Sequence, residues 1–63
     1  MSIGLNISKL RYENGMSQEE LANELNVSQS YIAQIERGSK TPTLTLGSQI
    51  AKVFHVPISD LLE

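Results

Sequence analysis

Cysteine and tryptophan are absent from this 63-residue chain, and histidine occurs once, at His55. Without thiols there is neither a disulfide framework nor a thiolate metal site. A lone imidazole does not complete the ligand shell of a zinc ion. Aromatic residues are scarce: Phe54, Tyr12 and Tyr31 are the full set. No apolar run approaches the roughly 20 residues that span a bilayer, so no membrane partner is expected. The first residues, MSIGLNISKLR, lack the basic start and unbroken apolar block of a signal peptide; a cytoplasmic protein is the expectation. Paired carboxylates, a phosphate-binding loop and a metal-ligand cluster are also missing. No catalytic residue, cofactor, metal or small-molecule substrate is therefore expected, and a catalytic role for His55 has no partner group to support it.

Sixty-three residues with 40% apolar side chains suit one small globular domain spanning 1–63. A chain of this size buries roughly 60% of the surface it exposes when unfolded, enough to fold with a small margin. Its formal charge is −2, which by itself speaks against a nucleic-acid partner, since such proteins are usually basic. The charges are unevenly placed, however. From Arg37 to Ser59 there are three bases, Arg37, Lys40 and Lys52, and no acid. An acidic total can hide a locally basic edge.

What the chain does contain is a series of helix start and stop signals. Ile3, Ile7 and Leu10 recur at the spacing of one helical face, predicting a first helix over 2–14 that Gly15 ends. Ser17 and Glu20 have the spacing of a capping box, with Met16 and Leu21 placed as a hydrophobic staple across it. Leu21, Ala22 and Leu25 then form the buried stripe of a second helix. Asn26 follows, one of the few non-glycine residues that readily turns left-handed. Ser28 is the expected cap of a third helix, stapled by Val27 and Ile32 and closed by Gly38, with Arg37 near its negative end. Residues 39–42 read as a loop. Thr43 caps a fourth helix whose Leu46, Ile50, Val53 and Phe54 point inward, and whose Gly47 suggests a close helix approach. His55 reads as a cation at its C-terminal end. Pro57 punctuates, and residues 58–62 form a short fifth helix with Asp60 near its start. The expected fold is all-α, a compact five-helix bundle.

Two short helices joined by a tight turn make a helix-turn-helix when small and apolar residues sit at fixed offsets. Between Gln18 and Arg37, the apolar positions Leu21, Leu25, Val27, Ile32 and Ile35 join the two helices. Ala22 is small where they come closest, and Asn26 takes the turn. Together these placements are far more specific than any one of them.

The stretches ISKLRYENGMSQEELANELNVSQSYIAQIERG and KTPTLTLGSQIAKVFHVPISDLL resemble the Cro/C1-type helix-turn-helix family of phage repressors and bacterial regulators, the lambda-repressor-like DNA-binding domains. The most specific pieces are Leu10-Arg11 with Gly15, the run from Ser17 to Ala22, the run from Ile35 to Gly38, and Pro42. Asn26 departs from the turn glycine, Asn6 from an arginine and Gly47 from a leucine. The resemblance implies sequence-specific binding of double-stranded operator DNA by a transcriptional repressor or regulator, commonly as a homodimer. It also implies an ion pair between Arg11 and Glu36. In similar proteins a glutamine at the position of Gln18 contacts a phosphate and supports the first glutamine of the third helix, here Gln29.

Within that frame the third helix has a physical reading. If Ile32 and Ile35 face the core, Ser30, Ala33, Gln34 and Arg37 point away from it, with Gln29 on the flank. The N-terminal part of such a helix enters the major groove. Gln29 and Gln34 can pair bidentately with adenine, Ser30 can bond several base edges, and Ala33 can meet a thymine methyl. These four are the expected base readers. Ser17, Gln18, Ser28, Arg37, Gly38, Lys40, Thr41 and Thr43 are the expected backbone contacts, fixing register without specifying sequence. Tyr31 joins them if its hydroxyl faces a phosphate, with simple packing the competing reading.

Each assignment competes with a plainer one. Neutral side chains at 29, 30 and 34 also suit an ordinary solvated face, and Lys9 and Lys52 read as solubilising. Glu24 has to face away from DNA if binding is to survive. Val56, Ile58, Leu61 and Leu62 offer a dimer contact, unless they close the monomer core. The competing function is a helix-turn-helix reused as a protein-interaction module.

Overall fold

Four helices of this chain begin in the same way, with a hydroxyl accepting a hydrogen bond from a backbone amide three residues on. The computed structural model describes residues 2–63. In it Ser2, Ser17, Ser28 and Thr43 cap α1 (Ile3–Glu13), α2 (Gln18–Leu25), α3 (Gln29–Arg37) and α4 (Leu44–Val53). Side-chain oxygens at these positions satisfy amides that the first helical turn leaves free. At Ser17 the box closes both ways: the Glu20 amide donates to Ser17 Oγ at 3.0 Å and the Ser17 amide donates to Glu20 Oε1 at 2.8 Å. A fifth helix, α5 (Ser59–Leu62), has no side-chain cap. No strand occurs among the described residues.

The same four helices also share a way of ending. Gly15, Asn26, Gly38 and His55 have positive φ, at 63°, 58°, 85° and 57°. The residue after each donates to a carbonyl five residues back: Met16 to Arg11, Val27 to Ala22, Ser39 to Gln34 and Val56 to Ala51, at 2.9–3.0 Å. This is the Schellman closure, in which one left-handed residue lets the chain turn back and satisfy the last carbonyls. Gly15, Asn26 and Gly38 were legible as stops. His55 was not: read as a cation at the end of α4, it is the residue that turns left-handed there.

The core gathers one face from every helix. Ile7, Leu21, Ile32, Ile35, Ile50 and Leu61 are fully buried, with Ala22, Leu46, Ala51 and Phe54 nearly so. Met16, Leu25, Val27 and Val53 pack partly buried against them, so Val53 lines the edge of the core instead of entering it. Leu61 was a candidate dimer contact, and its complete burial corrects that assignment. Val56 and Ile58 are half-buried against the same core, so they too serve mainly the monomer.

Two small or polar residues of α1 set its position. A Cβ at Gly4 would collide with the carbonyl oxygen of Ile35 and stand 3.0 Å from Glu36 Cα. The close helix approach is therefore here, α1 against α3. At Gly47, where the sequence suggested one, a Cβ would meet only Ile58 Cδ1 at 3.7 Å, an ordinary contact. Asn6 is buried and donates from Nδ2 to the carbonyls of Leu61 at 2.8 Å and Glu63 at 3.1 Å. It ties α1 to the C-terminal end of α5, whose last carbonyls would otherwise lack partners.

Candidate nucleic-acid interface

The turn from Asn26 to Ser28 delivers α3 against α2 with its two isoleucines inward, Ile32 and Ile35 each 1% exposed. The rest of the helix sorts by angle around that seam. Gln29 and Ser30 are exposed at the N-terminal end, and Ala33 and Gln34 are half-buried. The four expected base readers thus lie on one helix outside its buried seam, the first two more open than the last two. Arg37, Gly38, Lys40, Thr41 and Thr43 are all exposed, as the backbone-contact reading requires. Tyr31 is half-buried, and Lys40 Nζ lies 5.9 Å from the centroid of its ring. That cation–π distance joins the packed part of α3 to the loop after it.

Ser17, Ser28 and Thr43 spend an acceptor on capping, but each hydroxyl keeps its own O–H to donate. The amides of Ser39 and Lys40 both donate to the Gln34 carbonyl, at 2.9 and 3.3 Å, so the loop carrying the cation is folded back on the helix end.

Behind this surface sits a closed polar cluster. Arg11 donates from Nε to Glu36 Oε2 at 2.8 Å and from Nη2 to Glu36 Oε1 at 3.0 Å. Its third nitrogen, Nη1, holds the Met16 carbonyl at 2.9 Å. Gln18 Nε2 donates to Glu36 Oε1 at 3.1 Å. The Arg11 and Glu36 side chains are only 8% and 7% exposed. Burial pushes the Glu36 carboxyl up, but the hydrogen bonds from Arg11 and Gln18, the Arg11 charge and a smaller contribution from Ser8 outweigh it. The group is held below the usual carboxylate range. The hydrogen bond to Glu36 raises the Arg11 guanidinium against the opposing pull of burial. The expected ion pair is therefore present, bidentate and internally neutral, so the one acid of α3 does not present an unpaired charge to an anion. Sequence reading missed that Gln18 belongs to this cluster; its amide bonds Glu36 at the end of α3, not Gln29 at the start.

Glu24 lines a shallow groove between α2 and α4 with Leu25, Asn26, Gln49, Lys52 and Val53, a different flank of α2 from the one that carries Gln18 toward α3. The exposed large apolar side chains are Leu5, Tyr12, Leu44 and Leu62, at 60–75%. Of the four candidate dimer residues, Leu62 alone remains outward. Among the described residues no group of acids and histidine is placed to hold a metal, and no helix is long and apolar enough to cross a membrane.

A bundle of short helices with a helix-turn-helix presenting one face beside basic residues defines a class, the small helical DNA-binding regulators. A sequence profile of the helix-turn-helix family matches residues 7–61, and the chain belongs to that family, in its Cro/C1-type branch. It is 42% identical over 55 residues to an uncharacterized HTH-type transcriptional regulator of Archaeoglobus fulgidus, covering 87% of this chain and 79% of that one. It is 36% identical over 56 residues to the cryptic phage CTXphi transcriptional repressor RstR of Vibrio cholerae, covering 89% of this chain and half (50%) of the repressor. The structure is similar to SinR, the master regulator for biofilm formation, solved in complex with DNA. That similarity has a TM-score of 0.89 at 35% identity over 97% of this chain and 98% of that one. The restriction-modification controller protein C.AhdI of Aeromonas hydrophila has a TM-score of 0.87 at 29% identity, covering 94% and 89% of the two chains.

Proposed function

We propose that this chain is a DNA-binding transcriptional regulator that inserts α3 into the major groove of an operator. The observation that carries the reading is the outer surface of α3. Its outward side chains are neutral amides, a hydroxyl and a methyl, while Arg37 and Lys40 stand exposed at its C-terminal end. Neutral bidentate groups discriminate base edges, and cations hold phosphates without discriminating. Gln29, Ser30, Ala33 and Gln34 read bases in this scheme. Ser17, Gln18, Ser28, Tyr31, Arg37, Gly38, Lys40, Thr41 and Thr43 contact the backbone. A protein of net charge −2 can bind a polyanion where nearby acids are engaged or turned aside: Glu36 is paired with Arg11, Glu20 accepts from the Ser17 amide, and Glu24 lines the groove between α2 and α4.

One module of this size makes few contacts, and two linked by a two-fold axis multiply them. We therefore include a homodimer in the proposal, with half-sites about one helical turn apart and the exposed Leu62 as a contact. The protein acts in the cytoplasm, where its operator is.

The test is selection of bound duplexes from a random pool by the native protein and by Gln29→Ala and Gln34→Ala. A two-fold symmetric consensus that loses information at one distinct position per half-site with each variant supports the reading. Absence of any enriched sequence, or no retention of DNA even at low salt, sinks it and favours the interaction-module alternative.

A further inference from the structure

We propose that Glu36 is a positioning residue for DNA binding: its carboxylate, braced by Arg11, fixes which way round the Gln18 side-chain amide faces. An ionised carboxylate only accepts hydrogen bonds. The Gln18 atom 3.1 Å from Glu36 Oε1 is therefore the amide nitrogen, and the amide oxygen is turned away. Gln18 is left with one free N–H and one free acceptor on its outer side. The free N–H is the donor that a phosphate oxygen requires. Were the amide reversed, its oxygen would meet a carboxylate on one side with nothing to share.

The cluster also fixes where the amide sits. Glu36 belongs to the last turn of α3, Gln18 to the first turn of α2, and Arg11 to the last turn of α1. Arg11 spends its fork on Glu36 and its remaining nitrogen on the Met16 carbonyl, two residues before Gln18. The carboxylate is thus locked from behind, and the backbone leading into α2 is locked beside it. A long side chain that would otherwise sample several rotamers is pre-set before DNA arrives, and part of the ordering cost of the contact is met in the free protein. Glu36 reaches no DNA itself; it acts through Gln18. The inference rests on the proposed phosphate contact of Gln18.

The experiment combines the free protein with a binding cycle. In 15N-labelled protein without DNA, one of the two Gln18 Nε2 protons exchanges with solvent at least about 10-fold more slowly than those of the exposed Gln29, as for a hydrogen-bonded amide proton. Exchange at the same rate as Gln29 overturns the proposal. Affinity is then measured on a selected duplex. Gln18→Ala weakens the native protein about 5- to 10-fold, the worth of one hydrogen bond of ordinary net strength. In the Arg11→Met, Glu36→Met background the same change weakens binding less than about twofold, because Gln18 is no longer held. The paired replacement removes the carboxylate without leaving a buried charge, a change that folded domains often accept. If it does not fold, the Arg11→Leu, Glu36→Leu pair is measured instead, with the same expectation. Equal losses in both backgrounds overturn the positioning role while leaving the phosphate contact intact. No loss in the native background removes the contact, and with it the inference.

Discussion

The carbonyl oxygen of Ile35 occupies the space where any residue other than glycine would place its Cβ at position 4. In an exposed helix, replacing glycine by alanine gains about 1 kcal/mol. At Gly4 the sign reverses, because the obstructing atoms are the backbone of α3 and cannot rotate away. Gly4→Ala is expected to cost about 1–3 kcal/mol, the usual range for overpacking. Gly47→Ala is the internal control: its nearest obstacle is the flexible end of Ile58 at 3.7 Å, so the propensity gain of about 1 kcal/mol should survive. Urea melts of the two variants should move in opposite directions. A common direction would show that the α1–α3 seam is looser than the structure has it.

His55 is the second place where a backbone angle decides the outcome. It is left-handed at φ 57°, exposed, and followed by the Val56 amide that closes α4 onto Ala51 at 3.0 Å. A side chain in that conformation carries a cost of roughly 1 kcal/mol that glycine does not. His55→Gly should therefore raise the melting temperature, by several degrees if the gain approaches 1 kcal/mol in a domain this small. Asn26→Ala at φ 58° should lower it, since alanine enters this region less readily than asparagine.

Why some of this was legible and some was not comes down to sequence distance. Ser17 with Glu20 and Val27 with Ile32 are local pairs, so caps, staples and helix order could be read directly. The ion pair between Arg11 and Glu36 was legible only through resemblance to other proteins, because 25 residues separate the partners. Nothing in the sequence marks Gly4, since its meaning lies in a carbonyl 31 residues away. Asn6 read only as a departure, and its partners at Leu61 and Glu63 are further still. Leu61 illustrates the converse error. An apolar tail offers the same composition to a core or to a partner, and only the packing of α5 decided between them. Within the candidate site, the outward set on α3 followed from helical periodicity. The link from Gln18 to Glu36 did not, because neither residue's type announces an amide-to-carboxylate bond.

The Arg11–Glu36 cluster sets an acid limit to stability. The folded-state value of Glu36 is depressed, so its contribution is fully present above the unfolded carboxylate range, near about 4.3. It is lost as pH falls through the lower folded value. Exposed Glu20, lowered by the Ser17 amide, acts with the same sign. Chemical denaturation measured from neutral pH downward should show stability falling below about pH 4–5. The Arg11→Met, Glu36→Met pair should flatten that fall, leaving the part due to Glu20 and other carboxylates. Glu36→Ala alone should cost about 3–5 kcal/mol at neutral pH, because it leaves the Arg11 charge buried without a partner.

Two kinds of variant distinguish the base-reading and backbone-holding roles proposed for α3 and the loop after it. Gln29→Ala and Gln34→Ala should each lose about 1–3 kcal/mol on the selected operator and much less on unrelated duplexes, because an amide pairs with particular base edges. Arg37→Ala and Lys40→Ala should weaken every duplex alike. They should also reduce the slope of log affinity against log salt by about 0.9 for each phosphate contact removed, whereas the glutamine variants leave that slope unchanged. Lys40 carries an extra expectation, since its ammonium lies over the Tyr31 ring. Tyr31→Leu keeps the apolar packing but removes the ring that places the cation, and should weaken binding on all sequences without altering which base pairs are preferred. If Gln29→Ala instead produced the same loss on every duplex, its amide would be a backbone contact, and base reading would fall to Ser30, Ala33 and Gln34.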